Sequence, residues 1–268
     1  MKRAVSQQMF FRQRRRVCRG LLALGFGLVA CQEQAAGTAA PGTPHTSTTP
    51  SQEQATGTAA PDTPDASATL SPEILDLPQP RTGGDVSLEE TLARRRSVRQ
   101  YTDEHLTVDE MSQLLWAAQG ITRDWGGRTA PSAGALYPLE VYVATPQGLY
   151  HYQPDGHRAQ VLSRQDLREA LARAGLDQSA IRDAPAVFVI AAVYARTAGK
   201  YGNRAERYVK LEAGHVGQNI LLQAVALGLG GVPIGAFHDA QVQRVLGLPA
   251  DHEPLYLMPV GHPTQGTS

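Results

Sequence analysis

The sequence predicts an α+β fold with mixed or antiparallel strand pairing, and three observations predict it. Two capping boxes open amphipathic helices early in the body, an apolar run near its middle reads as a central strand, and a long, nearly all-apolar helix follows. Helices outnumber strands, and the strands are scattered along the chain, the pattern of a layered α+β fold.

Taken in order, Ser87-Leu88-Glu89-Glu90 is a capping box, with Ser87 as cap and Glu90 three residues on, opening a short helix that ends near Arg96. Thr107-Val108-Asp109-Glu110 repeats the device, and Met111, Leu114, Leu115 and Ala118 supply its buried stripe. Residues 139–145 alternate like a strand, and 148–152 pair with them as a hairpin around Pro146-Gln147. Residues 163–174 read as a helix. Residues 186–194 are apolar on both faces, as in a central strand. The longest element runs from about Arg204 to Leu229; a helix apolar nearly all round is buried in a large core or a subunit interface. A short strand at 232–236, a helix at 239–246 and a strand at 255–260 complete the body, which spans residues 70–263, with a tail at 264–268. About 190 residues suffice for one domain with a sizeable core.

In front of the body the composition changes. The chain has 25 basic and 25 acidic residues, but seven of the basic ones lie within residues 1–20, where there is no acid. That leaves 18 basic against 25 acidic from Cys31 onward, a mildly acidic body that argues against non-specific nucleic-acid binding. The basic head precedes an apolar run at 21–30 too short to span a bilayer, so residues 1–30 read as a secretory signal. Leu28-Val29-Ala30-Cys31 resembles a bacterial lipobox, which would make Cys31 the acylated first mature residue. The alternative is an ordinary signal peptide with an incidental cysteine. Acyl chains at Cys31 would tie an exported protein to the bacterial envelope, on its periplasmic or outer face, with no other membrane contact. With Cys18 removed and Cys31 acylated, no thiol remains for chemistry. Residues 31–69 are an Ala/Thr/Pro-rich tether in which the stretch from Gln32 returns at Gln52, a twenty-residue period with almost nothing to bury.

Arg95-Arg96-Ser97-Val98-Arg99 gathers three guanidiniums and a hydroxyl in five residues. It reads either as a solvated helix end or as a phosphate site. Pro131-Ser132-Ala133-Gly134-Ala135-Leu136-Tyr137-Pro138 is a plain turn or a small-residue surface for a flat ligand to approach backbone. Gly230-Gly231-Val232-Pro233-Ile234-Gly235-Ala236-Phe237 either terminates the long helix or forms a wall beside a ring system. Together they point to a phosphorylated planar cofactor. The glycines at 228–231 do not open a helix after a strand, so a Rossmann site is not indicated. His215, His238, His252 and His262 lack metal-ligand spacing, so no metal is expected, and there is no G-x-S-x-G elbow. His215, on an apolar helix, reads as a packed core or interface histidine.

In this order, Arg95-Arg96-Ser97-Val98-Arg99-Gln100-Tyr101, the 131–138 segment and Glu212-Ala213-Gly214-His215-Val216-Gly217-Gln218-Asn219 resemble the FMN-dependent nitroreductase superfamily, and within it the SagB-type dehydrogenases and azoline oxidases. The similarity covers roughly residues 88–263. It implies a three-layer α/β/α fold around a mixed, mostly antiparallel sheet, and an intertwined homodimer with FMN at the interface. By position, Arg95, Arg96, Ser97 and Arg99 would hold the phosphate and ribityl chain. Pro131, Ser132, Ala133, Gly134 and Leu136 would line the flavin from one subunit, and Pro233, Ile234, Gly235 and Ala236 from the other. Gln218 or Asn219 would reach the interface. Many relatives carry a basic residue after the last strand; here Gly261-His262-Pro263 stands there, and His262 is at most a partial substitute. Lys200-Tyr201 matches the lysine–tyrosine pair of azoline oxidases, a candidate for acid–base work or a surface loop. Tyr137, Arg207 and Tyr208 are further substrate-facing candidates.

The resemblance implies a flavoprotein oxidoreductase that passes hydride from an organic donor to the flavin N5 and on to a second acceptor. The substrate would be small and organic or peptide-derived. The rivals are an NAD(P)H-dependent nitro- or quinone reductase, with NAD(P)H or a quinone as electron partner, and a non-catalytic FMN-binding lipoprotein.

Overall fold

A computed structural model of the chain describes residues 72–264. The signal, Cys31 and the tether lie outside the described residues, as does all of the tail beyond Thr264. No helix among the described residues is long and apolar enough to cross a membrane.

The elements are β1 (Ile74–Asp76), α1 (Leu88–Arg94), α2 (Val108–Gln119), β2 (Leu139–Thr145), β3 (Gly148–Gln153), β4 (Arg158–Ser163), α3 (Arg168–Ala174), α4 (Ser179–Asp183), β5 (Ala186–Ala192), α5 (Tyr194–Tyr201), α6 (Ala205–Ala226), β6 (Gly230–Gly231), α7 (Asp239–Leu246) and β7 (Glu253–Gly261). The strands form one sheet in the order β1-β4-β3-β2-β5-β7-β6. Neighbours pair antiparallel, and one parallel bridge, Ser97 to Gly231, makes the sheet mixed at its edge.

Strand β5 shows why the fold has three layers. All seven of its residues are buried. Because successive side chains point to opposite faces, Phe188 and Ile190 join a core with Leu114 and Leu115 of α2 and Val216 and Ile220 of α6. Val187 and Val189 join another with Leu171 of α3, Ile181 of α4 and Val242 and Leu246 of α7. Burying each such side chain contributes about 1.5–3 kcal/mol, so a polar substitution on either face of β5 would unseat a layer.

Local chemistry sets the helix starts. Thr107 N–H donates to Glu110 Oε2 at 2.7 Å and Glu110 N–H donates back to Thr107 Oγ1 at 3.2 Å, closing the capping box of α2. Ser87 Oγ accepts from Glu90 N–H at 3.1 Å at α1.

Several expectations are corrected. The strands are not scattered or outnumbered: among the described residues seven strands in one sheet accompany seven α-helices. The expected helix over 163–174 begins only at Arg168. Ser163 instead ends β4, which pairs with both β3 and β1, residues 164–167 form the connection, and Asp166 Oδ1 accepts from Arg168 N–H at 3.1 Å at the helix start. The expected strand over 232–236 is instead the two-residue β6, with Ile234 making a separate bridge to Leu257. Strand β1 and helices α4 and α5 were not expected. Helix α6 is buried along one face only, through Val209, Ala213, Val216 and Ile220, and leaves Leu211 54% exposed. His215 is exposed on that outer face of the single chain rather than packed in its core.

Candidate functional site

The basic segment leaves α1 at Arg95 and turns extended. Val98 N–H donates to Gly231 O at 3.0 Å, and Val98 is buried with 5% exposure. Burying Val98 in an extended chain turns its neighbours Ser97 and Arg99 outward, where both are exposed. Tyr101 locks the segment down: its hydroxyl donates to Val98 O at 2.6 Å and lies 3.1 Å from Pro259 O. Burial pushes the Tyr101 hydroxyl well above the usual phenol value, with Arg99 opposing, so it remains a donor.

Gly230 and Gly231 make this approach possible. A Cβ on Gly230 would stand 2.5 Å from Val98 Cγ2, and one on Gly231 would stand 2.9 Å from Pro259 O. Past them, Ile234 is buried and exchanges backbone hydrogen bonds with Leu257 at 2.8 and 3.0 Å. Pro233, Gly235 and Ala236 face outward. The structure therefore brings Arg95, Arg96, Ser97 and Arg99 to the same sheet edge as residues 233–236. His262 does not join them: its Nε2 lies 3.8 Å from Glu104 and 3.8 Å from Glu110, so its ring faces carboxylates and not the arginine segment.

Residues 131–138 form a second cluster. Gly134, Ala135 and Tyr137 have φ of 65°, 53° and 45°, three left-handed residues in four positions. Two of them are not glycine, a strain that persists only where surroundings impose it. The surroundings are specific. Tyr137 N–H donates to Ser132 Oγ at 2.9 Å, and Arg128 N–H donates to the Tyr137 hydroxyl at 3.1 Å. The Arg128 guanidinium lies 4.5 Å from the Tyr137 ring centre. Arg196 Nη1 donates to Tyr137 O at 3.2 Å and pairs with Glu140, whose other oxygen is 2.6 Å from His151 Nε2.

Lys200 and Tyr201 sit at this turn. They are the last two residues of α5, not a surface loop. A Cβ on Gly134 would meet Lys200 Nζ at 2.9 Å and the Tyr201 hydroxyl at 2.9 Å, so both polar tips converge on the one residue that has no side chain. Tyr208 packs edge-on against Tyr201 at 5.0 Å. Arg207 and Gln218 lie exposed on α6. Asn219 Nδ2 donates to Ala117 O at 3.1 Å and so ties α6 to α2.

Sequence reasoning missed Glu212, which is 3% exposed on α6. Burial pushes its carboxyl up to about 7, against the pull of Ser132, Gln119 and Arg128. The available signal was a lone acid within an apolar helical stripe. It also missed Arg128, whose guanidinium burial lowers, with Glu140, Tyr137 and Glu212 opposing.

Both clusters touch α6. Leu221 lies against Gly231 and Glu212 beside Ser132, nine residues apart in sequence, which is about 14 Å along the axis and half a turn around it. Within one chain the two clusters are separate walls.

Their chemistry fits a flavin nucleotide. Among the described residues Arg95 and Arg99 enter no ion pair. With Ser97 they offer charged and neutral donors to a phosphate of about −1.5 to −2 charge. The small residues around Gly134 leave backbone open to a flat ring. Residues 92–262 match the Nitroreductase family. A nitroreductase-like protein of Methanocaldococcus jannaschii is 45% identical over 183 residues, covering 66% of this chain and 91% of its own length. The NADPH-flavin oxidoreductase of Vibrio harveyi is 28% identical over 184 residues, covering 66% of this chain and 65% of its own. Among crystal structures, a nitroreductase-like protein of Ralstonia eutropha superposes with a TM-score of 0.65 at 32% identity, covering 73% of this chain and 96% of that one.

Proposed function

This chain belongs to the nitroreductase family of FMN-dependent oxidoreductases, and from that premise we propose that it takes electrons from NAD(P)H and reduces a nitro or quinone acceptor. The observation that carries the reading is the bridge from Ser97 to Gly231, which sets the arginine segment beside the wall at 233–236. Similarity to an NADPH-flavin oxidoreductase supports NAD(P)H as the donor.

When bound, FMN supplies the two-electron hydride chemistry. Arg95, Arg96, Ser97 and Arg99 hold the phosphate and ribityl chain. Residues 131–136 line the ring, and Pro233, Ile234, Gly235 and Ala236 flank it. In this reading a single flavin takes one wall from each of two chains, as in a homodimer. The outer face of α6, with Leu211, Gly214, His215 and Gln218 exposed, supports such pairing. An acceptor that receives hydride must also gain a proton, and in this reading Lys200 Nζ and the Tyr201 hydroxyl, which converge at Gly134, deliver it.

A second reading, the SagB-type dehydrogenase or azoline oxidase, is favoured by that same convergence, since a base at Gly134 could remove a proton from an organic or peptide-derived donor. A third, an FMN carrier without turnover, shares the binding residues. Export as a lipoprotein anchored through Cys31 remains part of the proposal, tested by mass spectrometry of the mature N-terminus. Anaerobic addition of NADPH or NADH to the purified flavoprotein separates the readings. Rapid bleaching followed by reoxidation with a quinone supports the reductase. Flavin that stays oxidised with both nucleotides overturns it.

A further inference from the structure

Lys200 and Tyr201 of α5 crown the segment 131–138, and its neighbour on α6 is a buried acid that the function above leaves unused. Glu212 is the one acid on the buried face of α6. An ionised carboxyl in such a place is strongly disfavoured unless polar groups meet it. Ser132, Gln119 and Arg128 lie around it. The match is incomplete: Glu212 Oε1 and Gln119 Nε2 are both buried without a hydrogen bond of normal geometry, although Gln119 Oε1 accepts from Arg128 Nη1 at 2.9 Å.

We propose that Glu212 is a positioning residue for the FMN-facing segment 131–138, acting through Ser132 according to its own protonation. The proposal rests on the FMN reading of the site. The ionised carboxylate accepts the Ser132 O–H, which leaves Ser132 Oγ to accept the Tyr137 N–H at 2.9 Å. That second bond closes the turn that holds Ala135 and Tyr137 left-handed. Ionised Glu212 also attracts Arg128, which lies over the Tyr137 ring. Protonation turns the acceptor into a donor, removes the charge-assisted bond to Ser132 and releases Arg128.

The charged and titratable groups on the surrounding elements are Arg128 itself, with Glu140, Tyr137 and Arg196 acting on it, and Lys200 and Tyr201 at Gly134 from α5. Only Arg128 acts directly on the Glu212 charge. Since burial holds the carboxyl near 7, the turn is firmest above neutrality and loosens as pH falls. FMN binding to the firm turn is linked to proton release.

The test is fluorescence-quenching titration of the full-length apoprotein with FMN between about pH 5.5 and 8.5. The phosphate of FMN also ionises near pH 6, equally in every variant, so the comparison between variants isolates Glu212. Wild-type affinity should rise with pH roughly tenfold more than that of Glu212→Gln. Glu212→Asp should keep the rise, and Ser132→Ala should lose it. Should Glu212→Gln fail to fold by circular dichroism, Ser132→Ala carries the same test. Superimposable pH profiles for wild type and Glu212→Gln, or a full rise in Ser132→Ala, would overturn the proposal while leaving the FMN reading intact. A wild-type protein that takes up no FMN would overturn both.

Discussion

Gly230→Ala is the substitution that most cleanly joins the fold to the site. The new Cβ would stand 2.5 Å from Val98 Cγ2, 2.8 Å from Val98 Cβ and 3.0 Å from Val98 Cγ1. Val98 is 5% exposed, and its own Cβ would lie at 2.8 Å, a contact that no χ1 rotation relieves, so the backbone must move. Overpacking of this kind costs about 1–3 kcal/mol. For a domain of this size each 1 kcal/mol lowers Tm by roughly 2–4 °C, so a drop of roughly 2–12 °C is expected. The displaced strand carries Ser97 and Arg99, and losing one charge-assisted contact at about 1.5–3 kcal/mol weakens FMN binding roughly ten- to a hundredfold. Val98→Ala alone should cost about 2 kcal/mol through lost burial. The double variant loses the Cγ contacts but keeps the 2.8 Å approach to the residue-98 Cβ, so it should recover part of the stability and the FMN affinity, a non-additivity readable in a double-mutant cycle. The assays are thermal unfolding and FMN titration on all four proteins. If Gly230→Ala leaves both Tm and Kd unchanged, the close approach of β6 to the arginine segment does not position the site. A lowered Tm with an unchanged Kd would restrict the contact to structure.

Further outcomes follow from the same geometry. Replacing Arg95 and Arg99 together by alanine should weaken FMN binding by at least roughly a hundredfold, with a shallower salt dependence, as measured by fluorescence titration. Lys200→Ala and Tyr201→Phe should leave FMN bound and lower turnover by roughly 10²–10⁴-fold; steady-state kinetics beside flavin absorbance reports both. Glu140→Gln should destabilise the protein by about 1–3 kcal/mol at pH 7, after allowing for the partial exposure of Arg196. Burial pushes the Glu140 carboxyl up, but His151 and Arg196 outweigh it and hold it below the ordinary value. Its contribution is therefore present above the unfolded carboxylate range and lost as pH falls through the folded value, so wild-type and variant Tm should converge in acid.

Elements whose cause is local were legible in the sequence. The boxes at Ser87 and Thr107 satisfy their own helix ends, α7 was expected over the residues it occupies, and β5 is marked by an unbroken apolar run. Strand β4 was not legible, because its half-buried Arg158, Gln160 and Val161 become a strand only by pairing with β3 and β1. Strand β6 was misplaced because two glycines carry no side-chain pattern; their role is set by Val98 and Pro259, far away in sequence. The arginine segment and the two small-residue walls were visible as chemistry. Their partition into two clusters on α6, the seating of Lys200 and Tyr201 at Gly134, and the burial of Glu212 are tertiary facts. No spacing along the chain encodes them.

We propose that the flavin of this FMN protein lies between walls supplied by two chains. Titration of the full-length apoprotein with FMN, with its mass followed by light scattering, tests it most directly. The account predicts saturation at one FMN per chain in a two-chain particle with a flavin spectrum. A colourless protein that takes up no FMN, or one that binds it fully as a single chain, would contradict it.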